Sequence, residues 1–443
     1  MNLRVIILLL SLVVFVAGKV HRFRLQRRSH RHHKVPQAHQ HLQFRNALRR
    51  KYGFTPLRIK TSQSRASKGE VVSENLIDAY NTNFFGEVSV GGQPFTMLFD
   101  TGSSDFWVPS SHCQVCITKC GNRFFNESKS KTFHTKRVPF SIQYGSGAVQ
   151  GIVGSDDVGL GDLKIRQQGL GLVNITDSCD AFDGIGGMGF PPLSETRSKP
   201  LFQQMIDQKL VEQPIFSFHL KSGSSDGGSM ILGGSNSSLY YGYLTYTNVI
   251  EATYWTFKMD FIEVHGKGLR GCVGGCKAIM DTGTSLIVGP ALDILLLNNA
   301  IGARHNSTYD LYIVDCSSIP KLPTIVLGIA NKKFYITPQT YVIVFEDMCF
   351  TGFNDLRGLT FWIIGDVFIR ENYVEFDWAR KRIGIARAAE TYVIVFEDMC
   401  FTGFNDLRGL TFWIIGDVFI RENYVEFDWA RKRIGIARAA EVD

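Results

Sequence analysis

The sequence predicts an all-β body, and three observations carry that prediction. Short runs rich in Phe, Val, Ile and Tyr are broken by Gly at intervals of roughly eight to twelve residues. Examples are Phe85-Gly-Glu-Val-Ser-Val-Gly91, Phe140-Ser-Ile-Gln-Tyr-Gly145 and Met230-Ile-Leu-Gly-Gly234. The 443 residues include 33 Phe, 15 Tyr and 43 Gly, which suits half-buried strands joined by tight turns. Helical patterns are few, Ser198 to Leu210 and Ala291 to Ala300 being the two candidates. With 44% hydrophobic and 20% charged residues the chain is neither disordered nor collagen-like. Its length predicts two or three compact units.

The N-terminal elements come first. Arg4 precedes the largely apolar run Val5 to Val16, and the small pair Ala17-Gly18 follows. This pattern predicts a secretory signal peptide over 1–18, since a span needs about 20 apolar residues. From Lys19 to Lys60 there are 13 Lys/Arg and no acidic residue; without them and Arg4 the rest holds 34 basic against 41 acidic residues. Six of the 11 His also lie here: His21, His30, His32, His33, His39 and His41. A basic arm suits nucleic acid or an anionic membrane, but an acidic body makes an intramolecular partner equally plausible. The polar stretch Thr61-Ser-Gln-Ser-Arg-Ala-Ser-Lys-Gly69 reads as a linker and processing zone.

In a secreted chain the nine cysteines are expected in disulfides. The cluster Cys113-x-x-Cys116-x-x-x-Cys120 imitates a zinc site but lacks a fourth ligand at metal-site spacing, so no metal is expected. Four N-x-S/T sequons, at Asn126, Asn174, Asn236 and Asn306, fit the same route as glycosylation sites. Near the C-terminus Thr340 to Glu390 recurs without a substitution as Thr391 to Glu441, which also makes Cys400 the copy of Cys349. Solenoid repeats diverge and need more than two copies. The second copy is therefore left out of fold and chemistry and is expected to be an appendage.

The strongest constellation is Phe99-Asp100-Thr101-Gly102-Ser103-Ser104 and its echo Met280-Asp281-Thr282-Gly283-Thr284-Ser285. Each Asp follows an apolar run and precedes a hydroxyl pair. Two carboxylates brought together cannot both ionise cheaply, so they hold one proton between them. The ionised member can take a proton from water while the protonated member polarises a carbonyl, which is hydrolysis by general acid/base catalysis without metal or cofactor. Other motifs are weaker. Gly184-x-Gly186-x-x-Gly189 matches a dinucleotide pattern, but Pro191-Pro192 follows in place of a helix. No G-x-S-x-G elbow is present. Tyr254-Trp255 is expected to be buried strand aromatics rather than a substrate contact.

These motifs resemble the pepsin-type aspartic endopeptidase precursors, near the cathepsin D branch, over about Asn75 to Glu390. Asp100-Thr-Gly-Ser-Ser-x-x-Trp107 matches the first catalytic loop, Tyr144-Gly-Ser-Gly147 the flap, Phe182-Asp183-Gly184 the strand after it and Asp281-Thr-Gly-Thr-Ser285 the second loop. Trp362-Ile-Ile-Gly365-Asp366 to Tyr373 resembles the closing strand signature. The resemblance implies two β lobes related by a pseudo-twofold, with a cleft between them. It makes Asp100 and Asp281 the catalytic pair, sharing a proton as in pepsin. It implies a Trp107–Tyr144 hydrogen bond that sets the flap with Gly145, an inner lock of Thr101 and Thr282, and outer support from Ser103 and Thr284 beside Gly102 and Gly283. Disulfides Cys272–Cys276 and Cys316–Cys349 are implied as well, and Cys113, Cys116, Cys120 and Cys179 form two more whose pairing stays open. The basic arm would be the inhibitory prosegment, with Lys51-Tyr52 as the pair that plugs the dyad.

Departures from the pattern set further expectations. Asp105 stands where the family usually has Asn, placing a third carboxylate near the first loop. Ile185-Gly186-Gly187 is expected to thin the packing behind that loop. The organisation expected is a signal peptide (1–18), a basic prosegment (19–70), an N-terminal lobe (71–245), a C-terminal lobe (246–390) and the copied tail (391–443). The function expected is an acid-pH aspartic endopeptidase, made as a zymogen, monomeric, lysosomal or extracellular, acting on peptide or protein substrates between bulky apolar residues. No nucleic acid, membrane span or cofactor is expected. A pepsin-fold peptide-binding protein with impaired catalysis is the alternative.

Overall fold

Period-two runs become strands that bury one face or both. Phe84–Val90 exposes Glu87 and buries its alternate residues, whereas Ile215–Leu220 and Asn372–Asp377 are buried throughout, as strands covered on both sides must be. In the computed structural model the described residues are the backbone of 21–27, residues 84–389 apart from 145–146, 178, 180–181, 222–225, 269, 346–347 and 357, and the backbone of four strands between 393 and 438. The signal peptide, Lys51-Tyr52 and the linker lie outside them. Two compact units separate at Met1–Ala388 and Ala389–Asp443.

In the first unit a 13-stranded sheet and a 9-stranded sheet repeat one local plan. In the larger, Gln93–Asp100 runs parallel to Gly184–Gly187, with Met97 opposite Gly184 and Asp100 opposite Gly187. Gly184–Gly187 then pairs antiparallel with Phe106–Pro109, Phe106 facing Gly186. In the smaller, Cys276–Met280 runs parallel to Trp362–Ile364, and that strand pairs antiparallel with Ile287–Gly289. Each Asp-Thr-Gly loop thus leaves a strand, turns beside a second strand and returns as a third. The internal echo in sequence is an echo in topology.

The long meander His134–Gln143, Ala148–Leu160 and Leu163–Thr176 extends one side of the larger sheet. On the other side Ile215–Leu220, Asn372–Asp377 and Arg382–Arg387 pair in sequence, so segments from both halves of the chain share one sheet. Beneath it Trp255, at 0% exposure, donates its indole N–H to Met188 O at 3.0 Å and packs edge-on against Phe216 and Phe376. Part of the basic arm joins this sheet: His21–Arg27 lies between Asp226–Leu232 and Phe84–Val90, with His21 opposite Leu232 and Gln26 opposite Phe85.

The two expected helices form with shifted ends. Pro200 precedes the first turn of Leu201–Asp207, and positive φ at Lys209 (56°) lies just beyond its end, so it is shorter than 198–210. Ala291–Ile301 ends on Gly302, whose left-handed φ of 92° suits glycine. The disulfides are Cys113–Cys116, Cys120–Cys179, Cys272–Cys276 and Cys316–Cys349.

The expected thin packing at Ile185-Gly186-Gly187 does not occur. All three residues are buried, and a Cβ on Gly187 would stand 2.4 Å from the Ser104 carbonyl carbon. Backbone fills the space a side chain would take.

The second unit holds two hairpins, Val393–Phe396 with Met399–Thr402 and Asn423–Asp428 with Arg433–Arg438. Their registers repeat those of Val342–Phe345 with Met348–Thr351 and Asn372–Asp377 with Arg382–Arg387. In the first unit these strands also pair with Leu311–Val314 and Ile215–Leu220. Among the described residues of the second unit each hairpin is a two-stranded sheet alone, which is marginal in water. The side chain of Cys400 lies outside the description.

Candidate active site

Both aspartates sit at strand ends and are almost wholly buried, Asp100 at 2% and Asp281 at 0% exposure. The turn after each strand presents a glycine N–H to the carboxylate. Gly102 N donates to Asp100 Oδ1 at 2.8 Å, and Gly283 N donates to Asp281 Oδ1 at 2.9 Å. The glycines also set the approach of the two loops. A Cβ on Gly283 would stand 2.2 Å from Asp100 Oδ1, and one on Gly102 would stand 2.6 Å from both oxygens of Asp281. Each carboxylate therefore lies against the glycine of the other loop, and any larger residue there would force them apart.

The threonines hold that approach. Thr101 N donates to Thr282 Oγ1 at 3.0 Å, and Thr282 N donates to Thr101 Oγ1 at 2.9 Å. Each hydroxyl then donates across to the opposite strand, Thr101 to Met280 O at 2.9 Å and Thr282 to Phe99 O at 2.7 Å. Outer support is one-sided. Thr284 Oγ1 donates to Asp281 Oδ2 at 2.7 Å, whereas Ser103 Oγ, though buried, makes no hydrogen bond. It lies near enough to the Tyr144 hydroxyl to pull that phenol's pKa down slightly.

Trp107 and Tyr144 meet over the first loop. The indole Nε1–H donates to the Tyr144 hydroxyl at 2.9 Å, with ring centroids 6.0 Å apart. Burial pushes the Tyr144 phenol well above its ordinary pKa, and the charges of Asp105 and Asp100 add to that, so it stays a neutral hydroxyl. Tyr144 N donates to Gly147 O at 2.7 Å and closes the hairpin turn; Gly145 lies outside the described residues.

The departures resolve into structure. Asp105 accepts from Ser194 Oγ (2.8 Å), Glu195 N (2.9 Å), Thr196 N (3.1 Å) and Thr196 Oγ1 (2.6 Å), so it ties a distant turn to the first loop. Asp183 does similar work for Thr96 N and Arg123 N, each at 2.8 Å. Gly186 is part of a buried strand, and no helix follows it.

One residue absent from the sequence-derived site belongs beside it. Asp366 is 2% exposed, and its Oδ1 has no hydrogen-bond partner. Burial pushes its carboxyl well above the usual range; Arg370 offsets this in part, and the charges of Asp281 and Asp100 push it further up. It follows Gly365, one step past the pair of Met280 with Ile364, where the other half of the fold has Met188 after Gly187. The site is thus asymmetric, with a buried acid on one side and a thioether on the other.

The sequons are half-buried. Asn126 and Asn236 accept from the hydroxyls of Ser128 (2.7 Å) and Ser238 (2.8 Å), Asn306 accepts from Thr308 N (2.9 Å), and Asn174 accepts from Ser110 Oγ (2.5 Å). Among the described residues no group of three or more His, Cys, Asp or Glu is arranged to hold a metal. Nor is any described helix long and apolar enough to cross a membrane.

A family model for eukaryotic aspartyl proteases matches residues 83–388 and again 390–439, the second match falling on the copied tail. Chymosin of Ovis aries is 41% identical over 327 residues, 72% of this chain and 84% of its own. Cathepsin D of Gallus gallus is 37% identical over 357 residues, covering 77% and 86%. Pepsin A of Sus scrofa is 38% identical over 331 residues, covering 72% and 84%. With two equivalent Asp-Thr-Gly loops meeting between two β halves, these matches make the chain a member of the eukaryotic aspartyl protease family.

Proposed function

We propose that this aspartic endopeptidase cleaves peptide bonds at acid pH with Asp100 and Asp281 as its catalytic pair. The observation that carries this is the approach of the two loops, each carboxylate lying against the other loop's glycine and the threonines fixing both. At such closeness the pair holds one proton. The ionised member deprotonates a water, which attacks the peptide carbonyl, while the protonated member donates to the carbonyl oxygen. Proton return to the amide nitrogen then releases the two products. Trp107 and Tyr144 cover the dyad and present aromatic surface, which supports substrates with bulky apolar residues flanking the cleaved bond.

The chain is read as a zymogen of the secretory pathway. Residues 1–18 form its signal peptide, 19–70 its prosegment, and 71–245 and 246–390 its two lobes. Chymosin, cathepsin D and pepsin A share the family, and the pairing of His21–Arg27 within the main sheet supports a prosegment docked on the body. Acid loosens that docking as body carboxylates lose charge and the six arm histidines gain it.

The test is hydrolysis of a peptide with paired bulky apolar residues at pH ~4. Turnover blocked by a statine-type peptide and indifferent to chelators is expected. Turnover blocked by chelators and untouched by statine peptides would sink the reading.

A further inference from the structure

In the second half of the fold lies a cavity of about 430 Å³, none of whose lining residues belongs to the aspartate loops. Three segments enclose it: the strand Trp255–Val264, the loop closed by Cys272–Cys276, and the turn joining Ile325–Ile329 to Lys332–Ile336. Lys258, Lys332 and Lys333 line it against one carboxylate, Asp260. Asp260 is occupied structurally, its Oδ2 accepting from Asn331 N at 2.9 Å. Lys333 pairs with Glu263 at 3.2 Å, which also holds Arg270 at 2.8 Å. Among the described residues Lys258 and Lys332 have no acidic partner.

Lys258 carries a cost that needs an explanation. In register it stands directly opposite Lys277, and like charges across a strand pair repel. Lysines at a sheet edge discourage unwanted strand pairing, which accounts for Lys332 and Lys333 on the outermost strand. That account does not reach Lys258, whose strand has neighbours on both sides. Its stem is also placed. A Cβ on Gly275 would stand 2.4 Å from Lys258 Cε, and Gly275 has a φ of 88°, so glycine makes the room in which this side chain lies. Phe261 forms an apolar wall of the cavity, with the Arg270 guanidinium 4.6 Å from its ring centroid.

We propose that this cavity binds a phosphate or sulfate monoester carried on a sugar. Lys258 and Lys332 would take the oxyanion, and the sugar ring would lie along Phe261. A bare inorganic ion would leave most of the space unfilled, whereas clefts for small organic ligands begin at about 300 Å³.

The test uses the full chain with two probes, a sulfated heparin-derived disaccharide and glucose 6-phosphate. Hydrogen–deuterium exchange is followed in segments 258–262, 272–277 and 329–334, so that anion binding by the basic arm does not enter the readout. Protection of these segments by either probe is expected; the tighter probe tells whether a sulfated or a phosphorylated sugar is the better source. The double variant K258A/K332A should weaken that protection by at least about tenfold. The charge-matched K119A/K209A should stay within about twofold, since isolated surface charges contribute little. Acid-activated peptide hydrolysis, unchanged in both variants, reports that they fold. Absence of protection up to about 10 mM of either probe, or equal weakening by the two double variants, would overturn the proposal.

Discussion

Replacing Thr282 by Val keeps the volume of the side chain and removes only its hydroxyl. That hydroxyl accepts from Thr101 N at 3.0 Å and donates to Phe99 O at 2.7 Å. Both partners are in the buried interior between the loops, so the variant leaves one N–H and one C=O unpaired. At about 1–3 kcal/mol for each group, the expected loss is about 2–6 kcal/mol, a large part of the 5–15 kcal/mol that typically holds a domain folded. Thr101→Val should cost a similar amount, because it orphans Thr282 N and Met280 O. The two hydroxyls are 3.4 Å apart in one network, so the double variant should lose less than the two singles added together. Urea unfolding of the purified chains measures the stability, and kcat/KM on a peptide measures whether the loops still meet. Thr282→Ser restores the hydroxyl and should recover most of both. If both Val variants unfold within about 0.5 kcal/mol of the parent, the lock does not hold the loops and the argument fails.

Asp366 gives a pH signature. Its native carboxyl is held protonated above its unfolded pKa of about 3.9, so its stabilising contribution is complete below that pH and is lost as pH rises through the native value. Asp366→Asn removes that loss. The variant should therefore gain stability over the parent between pH ~4 and ~7 and gain none at pH ~3; equal slopes of urea midpoint against pH would show that Asp366 keeps no proton. Acid should also trigger loss of the arm, so N-terminal analysis should find the precursor processed faster at pH ~4 than at ~7, and the reverse order would refute the electrostatic docking. A chain ending at Glu390 should be at least as soluble and active as the full one, because the hairpins of the tail have no third strand among the described residues. An unfolded or inactive product would contradict the appendage reading.

Much of the site is legible in the sequence because its parts are contiguous. Asp100 and Asp281 each sit in a six-residue motif, and the resemblance attached to Trp107 and Tyr144 anticipates a contact seen at 2.9 Å. What escapes notice depends on partners far along the chain. Asp366 is an ordinary residue of a short helix until the strand before it is laid parallel to Cys276–Met280, bringing it beside the dyad. Asp105 reads as a third carboxylate of the site, yet its four donors lie between Ser194 and Thr196. Ser103 and Thr284 read alike, yet only Thr284 reaches its aspartate. Gly187 looks like missing side-chain volume, but only the folded backbone of Ser104 shows that the volume is filled. The pairing of Cys113 with Cys116 and of Cys120 with Cys179 is likewise a property of the fold, since four cysteines allow three connectivities.

The central claim is that two carboxylates, acting together, perform the hydrolysis. Its most direct test is kcat on one peptide at acid pH for Asp100→Asn and Asp281→Asn, each supplied with its prosegment removed in trans by the active parent. Both variants should keep the parent's unfolding midpoint within a few tenths of a molar urea and lose at least about a thousandfold in kcat, since an amide can neither share the proton nor activate the water. Undiminished turnover in either folded variant would contradict the account.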